Sequence, residues 1–378
     1  MKNKTKKMKR IHILLLLPMM IVACLNELSP AMPDEEETTL KKAVGHHFLI
    51  GTTLNNAIVN GRDPASDRVV KRHFNAITHG YAMKFAMLHP AEGRYLFDES
   101  DAFVRYGEQN GMTVIGHCLV WHKQLPDWVV RDKDGNLVTP EALKARMREH
   151  ISTVVGRYRG RVKGWDVVNE AFLEDGSYRQ SPYYEILGEE FIPLAFQYAH
   201  EADPDAELYY NDGNMAVTKR REAVVRLIGQ LKARGLRIDA VGMQAHVSMN
   251  FPKVENFEKS IQAFADAGVK VMITEWDMTA LPTTDTGSDG RPLTPEELDP
   301  YPEKMPDSAS QAWNARMKQF FDLFVKYSDV VTRVTVWGVS DIDSWLNDFP
   351  FPGRTDYPLL FDREYQPKTF VREILGEE

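Results

Sequence analysis

The sequence predicts an α/β protein built as a single (β/α)8 TIM barrel, with long βα loops at one face. Three observations predict it. Strand and helix signals alternate from about residue 42 to the end of the chain, the pattern of parallel βα units. Strand-like apolar runs begin near Phe48, Phe74, Met112, Val162, Glu207, Ala240, Val271 and Val334, which makes eight. No linker divides the chain after residue 42, although length alone would suggest two domains.

The first residues stand outside that barrel. Lys2, Lys4, Lys6, Lys7, Lys9 and Arg10 form a basic start, and Ile11 to Val22 is an apolar run too short for a comfortable membrane span. This reads as an export signal. It ends in Ile21-Val22-Ala23-Cys24, which resembles a bacterial lipobox, so residues 1–23 are expected to be cleaved and Cys24 to carry lipid. An ordinary signal peptide that happens to hold a cysteine is the alternative. Residues 24–41 are polar and Pro-bearing and read as a tether, with the barrel over 42–378. The expected location is the cell envelope, periplasmic or surface-facing, with membrane contact through the lipid anchor only.

Lipidation would consume one of two cysteines, and Cys118 lies inside an apolar run, so it reads as an inert buried thiol and no internal disulfide is expected. Stability must come from a large core. The formal net charge is -8, and removing residues 1–23 takes away six cationic side chains and no acidic ones. Such an acidic chain does not suggest a nucleic-acid partner; neutral polymers are natural partners, and a monomer is expected.

The helix signals follow in order. Thr139-Pro140 sets a capping hydroxyl before a first-turn proline, and Leu143, Met147, Ile151 and Val154 recur at helical spacing. Val224, Leu227, Ile228 and Leu231 form a second stripe, closed by Gly235. Asn256 to Gly268 repeats the same start and stop signals. The longest insertion, Thr279 to about Ala309, is rich in Pro, Asp, Thr and Gly. It follows a strand that ends in a glutamate, so it is expected to wall a substrate cleft.

Two carboxylates carry the chemistry. Trp165-Asp166-Val167-Val168-Asn169-Glu170 and Val271-Met272-Ile273-Thr274-Glu275 each set a glutamate directly after a β-branched run. An ionisable group at the end of a buried strand is costly to desolvate. Two such groups from different strands suit a retaining glycosidase, where one protonates the leaving oxygen and the other attacks the sugar from the opposite face. For each taken singly, the lesser alternative is a structural glutamate satisfied by arginines at a barrel mouth.

With these motifs stand Gly116-His117-Cys118-Leu119-Val120-Trp121-His122-Lys123-Gln124, Gln244-Ala245-His246, Thr274-Glu275-Trp276-Asp277, Trp337-Gly338-Val339-Ser340-Asp341 with Trp345, and Pro358-Leu359-Leu360-Phe361-Asp362. Over residues 43 to 376 the chain thereby resembles glycoside hydrolase family 10, the endo-β-1,4-xylanases. The resemblance implies that Glu170 is the general acid/base and Glu275 the nucleophile. It implies that Asn169 donates to the sugar 2-hydroxyl and that His246 and Asp277 form a hydrogen-bonded chain orienting the nucleophile. Lys84, His117, Gln124 and Gln244 would bond the sugars around the cleavage point, and Trp121, Trp337 and Trp345 would cage the reacting ring. No cofactor is implied. His117 and His122 are five residues apart, would point to opposite strand faces, and have no completing ligands, so no metal site is expected.

The chain departs from the family pattern at Gly80-Tyr81, where the family normally shows Glu-Asn binding the next sugar on the non-reducing side. This altered subsite would hold plain xylose less tightly, admit a decorated sugar, or stack one on Tyr81. Asn211-Asp212-Gly213-Asn214 lacks the tyrosine usual at its third position, which would open the leaving-group side. The expected activity is endohydrolysis of β-1,4 bonds in a xylan-type polysaccharide with retention. The alternatives are the same barrel acting on another β-glycan or a heavily decorated xylan, and a catalytically silent glycan-binding lipoprotein.

Overall fold

A computed structural model describes residues 38–377. Cys24, the signal and the tether up to residue 37 lie outside the described residues. Nine parallel strands are β1 (Leu49–Leu54), β2 (Ala76–His79), β3 (Thr113–Val120), β4 (Gly164–Asn169), β5 (Glu207–Asp212), β6 (Ala240–Met243), β7 (His246–Ser248), β8 (Lys270–Thr279) and β9 (Val331–Val336). Their order is β6-β5-β4-β3-β2-β1-β9-β8, and a β6–β8 pairing closes the ring. β7 continues the β6 stave further up, pairing His246 with Asp277 of β8. The barrel therefore has the eight expected staves, one of them kinked at Ala245, whose φ is 63°.

Helices cover the outside of the ring because each presents one apolar stripe to it. Helix Pro140–Arg157 starts as its sequence dictates, with Thr139 Oγ1 accepting from Ala142 N at 3.3 Å, and it buries Leu143, Met147, Ile151 and Val154. Truncating any one of these to alanine would cost about 2–5 kcal/mol. Helix Thr218–Ala233 buries Val224, Leu227, Ile228 and Leu231 and ends before Gly235 at φ 70°. Helix Val254–Asp266 occupies the third expected segment. Inside the ring, Ile115, Tyr209, Ala240 and Met272 pack together, with the buried Arg333 guanidinium 5.7 Å from the Tyr209 ring. Gly116 is required beside them, since a Cβ there would lie 2.0 Å from the Trp165 ring.

Two boundaries differ from expectation. Residues 38–41, assigned to the tether, belong to the compact unit. Leu40 opens a one-turn helix, Leu40–Ala43, and is 1% exposed, so an apolar residue inside a polar stretch was burying itself in the core. The insertion after Thr279 lines no part of the central cavity described below. It packs instead on the segment after β9: Asp356 accepts from Thr279 Oγ1 and Ala280 N, Arg354 donates to Pro282 O at 2.7 Å, and Tyr357 donates to Tyr301 O at 2.8 Å.

Candidate active site

Each chemistry-bearing side chain comes from the C-terminal end of a stave or the loop just beyond it, the face where barrels of this kind place their sites. Glu170 follows β4 with φ at 57°, a conformation that a non-glycine residue holds only when its surroundings enforce it. Here they do. Glu170 N donates to Asn211 O at 2.9 Å, Arg179 Nε donates to Glu170 O at 3.0 Å, and Ala171 N donates to Tyr210 Oη at 3.1 Å. Tyr210 in turn donates to Asp212 at 2.6 Å. Burial pushes the Asp212 carboxyl up to about 7 against the pull of Arg220 and this tyrosine. Gln244 Nε2 reaches Glu170 Oε1 at 3.1 Å.

Glu275 lies within β8 and is 5% exposed. Both its oxygens have donors: Asn211 Nδ2 at 2.9 Å on Oε1 and His246 Nε2 at 3.0 Å on Oε2. The other nitrogen of His246 meets Asp277 at 2.9 Å, and Asp277 also accepts from Trp345 Nε1 at 2.8 Å. Burial opposes charge on His246, but the Asp277 and Glu275 carboxylates on its two sides outweigh it and raise the imidazole to about 10. Burial likewise pushes Glu275 up, yet the His246 hydrogen bond and charge, with His117 and Asn211, hold it below the usual carboxylate range. The arrangement is thus an imidazolium between two carboxylates, which keeps Glu275 ionised.

The remaining expected residues converge on the same space. Lys84, His117, Trp121, Gln124, Asn169, Gln244, Trp337, Trp345, Gly80 and Tyr81 line one cavity of about 640 Å³ together with Glu170, His246 and Glu275, while Asp277 stands behind His246. The Lys84 ammonium lies 4.6 Å from the Trp121 ring; burial lowers it, against the pull of both glutamates. His117 is held by Asp166 at 2.8 Å and meets Trp337 edge-on with centroids 5.5 Å apart. Asn169 sits between Asn211, Gln244, Glu170 and the Trp121 indole N–H, its amide partners exchanging with the orientation of the group. Gly213 and Asn214 also line the cavity.

Several contributors were not singled out from sequence. Asn211 touches Glu275 and Asn169, and its Oδ1 accepts from Thr274 Oγ1 at 2.6 Å. Arg179, Arg220, Asp343 and the half-exposed Phe349 also line the cavity. Asn211 carried one usable signal, a polar amide ending an apolar run, as Asn169 does. Phe349 and Asp343 lie in the irregular segment after β9, Asp343 at the end of a 3-10 turn, and carried none.

Chemically, the cavity offers an ionised carboxylate held from behind by a cationic donor, a second carboxyl from another stave, and aromatic walls. The comparisons agree with that inventory. The model of glycosyl hydrolase family 10 matches residues 39–376. The chain is 47% identical to an endo-1,4-β-xylanase A of Xylanibacter ruminicola, over 90% of this chain and 94% of that protein. It is 39% identical to an endo-1,4-β-xylanase of Geobacillus stearothermophilus, over 87% and 96%. A family 10 endoxylanase retrieved from a sugarcane soil metagenome superposes with a TM-score of 0.85 at 41% identity, covering 90% of this chain and 99% of that one.

Proposed function

The chain belongs to glycosyl hydrolase family 10, and we propose that it is an endo-1,4-β-xylanase that cleaves internal xylosidic bonds by double displacement. One observation carries the mechanism: Glu170 and Glu275 open into a single cavity, and only Glu275 is braced by the His246–Asp277 chain. Glu275, kept ionised, attacks the anomeric carbon while Glu170 gives its proton to the departing oxygen. Glu170, having given up its proton, then takes one from the water that attacks the resulting ester. Water then releases the sugar with its original anomeric configuration. Asn169 lies beside both glutamates through Asn211 and Gln244, in place for a 2-hydroxyl contact that strengthens as positive charge develops on the ring.

Proton NMR of the first products from xylan tests this reading: the β-anomer should appear first and mutarotate later. An α-anomer at early times would overturn retention. Sugar binding with no release of reducing ends would favour a silent glycan binder, although such a protein has no need of the charged chain behind Glu275. Faster hydrolysis of another β-glycan than of xylan would change the substrate.

The export reading rests on the basic start, the apolar run and Ile21-Val22-Ala23-Cys24. We propose a monomeric lipoprotein of the cell envelope anchored at Cys24. Labelled palmitate should enter the wild-type chain and not Cys24→Ser; equal labelling would overturn the anchor.

A further inference from the structure

A second and much smaller cavity, of about 10 Å³, lies behind Glu170. Trp121, Asn169 and Glu170 line both spaces, so the acid/base residue and its neighbours form the partition between them. The other walls are the ends of β3 and β4, at Val120 and Val168, and two covering helices. Tyr183 comes from the helix Pro182–Leu187 and Phe191 from the helix Phe191–Ala202. One water molecule needs roughly 10–15 Å³ of such room.

The polar groups of the wall call for that water. Tyr183 is 1% exposed, and its Oη has no hydrogen-bond partner among the described residues. The same holds for His122 Nδ1, which is also shut off from solvent. A buried polar atom left unpaired costs the full desolvation of the group. Neither ring is loose enough to seek a partner elsewhere. Tyr183 stacks on Phe191 with centroids 5.9 Å apart, and His122 meets Trp121 edge-on, also at 5.9 Å. Ser181, on the same wall, supplies a third contact. Its Oγ accepts from Tyr184 N at 3.3 Å to cap the helix, which leaves the hydroxyl hydrogen to donate. A water bonded to all three has the partners that a buried water requires.

The ring that this water would hold stands beside the acid/base. Burial lowers the His122 imidazole to about 4, Arg179 adds to the fall, and the charge of Glu170 pulls the other way. His122 is therefore neutral at neutral pH, and its Nδ1 needs a partner in either tautomer. We propose that one buried water joins Tyr183 Oη, His122 Nδ1 and Ser181 Oγ, and that Tyr183 is a positioning residue that sets the His122 ring against Glu170 through it. Tyr183 lines no part of the cleft, so its effect on turnover passes through that ring. The kinetic consequence rests on the role proposed for Glu170; the water itself does not.

A high-resolution crystal structure tests the water without reference to activity. A density peak within hydrogen-bond distance of both Tyr183 Oη and His122 Nδ1 is expected. No peak there, in a map that shows other buried waters, would overturn the proposal. Tyr183→Phe keeps the ring and its stacking and removes only the hydroxyl. Its kcat/KM on xylo-oligosaccharides, whose leaving oxygen must be protonated, should fall roughly twofold to tenfold, the range of one lost hydrogen bond. An activated aryl xyloside, which needs little help from an acid, should keep its rate. A merely structural loss would slow both substrates alike; that outcome, or an unchanged rate on xylo-oligosaccharides, would overturn the role of Tyr183. Should the wild type hydrolyse no xylan at all, the functional reading fails, and the density peak still decides the water.

Discussion

Replacing Asp277 by asparagine should convert His246 from a permanent cation into a group that titrates near neutrality. In the wild type, burial disfavours the imidazolium, yet Asp277 and Glu275 together lift it from 6.5 to about 10. That rise corresponds to about 4–5 kcal/mol in favour of the charged ring. Asp277 is the largest of the raising influences, and it is fully buried, so little solvent screening weakens it. Asparagine keeps the shape and one acceptor but removes the charge, and burial then pulls the ring back down. Nitrogen NMR of the His246 ring reads this directly. Both nitrogens should stay protonated through pH 9 in the wild type, and Asp277→Asn should lose one proton around or below pH 7. Because the folded value is raised, the stability this pairing contributes is fully present below 6.5 and is lost as pH rises through about 10. Thermal stability of the wild type should accordingly fall over that window, and the variant should show a flatter profile. A wild-type His246 that titrates near 6.5, or a variant ring still charged at pH 9, would refute the argument.

Glu275→Ala should abolish hydrolysis with the fold intact, and added azide should yield only a glycosyl azide of inverted configuration; normal turnover would remove Glu275 as nucleophile. Glu170→Ala should slow natural xylan far more than an activated aryl glycoside, and azide should partly restore the second step. Equal losses with no azide effect would exclude the acid/base role. His89 and His150 touch through their Nδ1 atoms at 3.4 Å in an aromatic stack with Phe85 and Tyr95, and burial lowers both imidazoles, His89 to about 4. Their neutral forms favour the fold above pH 6.5, and for His89 about 3 kcal/mol is lost as pH falls to its folded value. Urea unfolding between pH 6.5 and 4 should show a steep loss that shrinks in His150→Phe; an unchanged slope would contradict it.

Much of this architecture was legible because a parallel barrel buries both faces of each stave, which writes its strands as continuous apolar runs. The glutamates were legible for the same reason: each interrupts such a run at its end. What was hidden depended on partners far apart in the chain. Asn211 of β5 acquires its place only because Asn169 comes from the adjoining β4 and Thr274 and Glu275 from β8, beyond β6. The composition of residues 279–309 identified a long loop, but not that Asp356 and Arg354 would draw it away from the cavity. Leu40 looked like part of a polar tether because one apolar residue gives no periodicity to read.

The backbone shows where local rules were set aside. Among the described residues, five that are not glycine have positive φ: Gln124, Glu170, Asn214, Ala245 and Tyr365. Three of them line the cavity, and Ala245 sits between two more lining residues, Gln244 and His246. No glycine stands at or beside Ala245, so sequence rules would have continued β6 straight through it. Had it done so, His246 would follow the regular alternation of an unbroken strand. The kink instead sets His246 level with Asp277 and within reach of Glu275. Strain of this kind persists where tertiary contacts over-determine it, and here those contacts are the catalytic network itself. Sequence reasoning therefore fails at Ala245 for the same physical reason that the site works: the stave bends to bring an imidazole between two carboxylates.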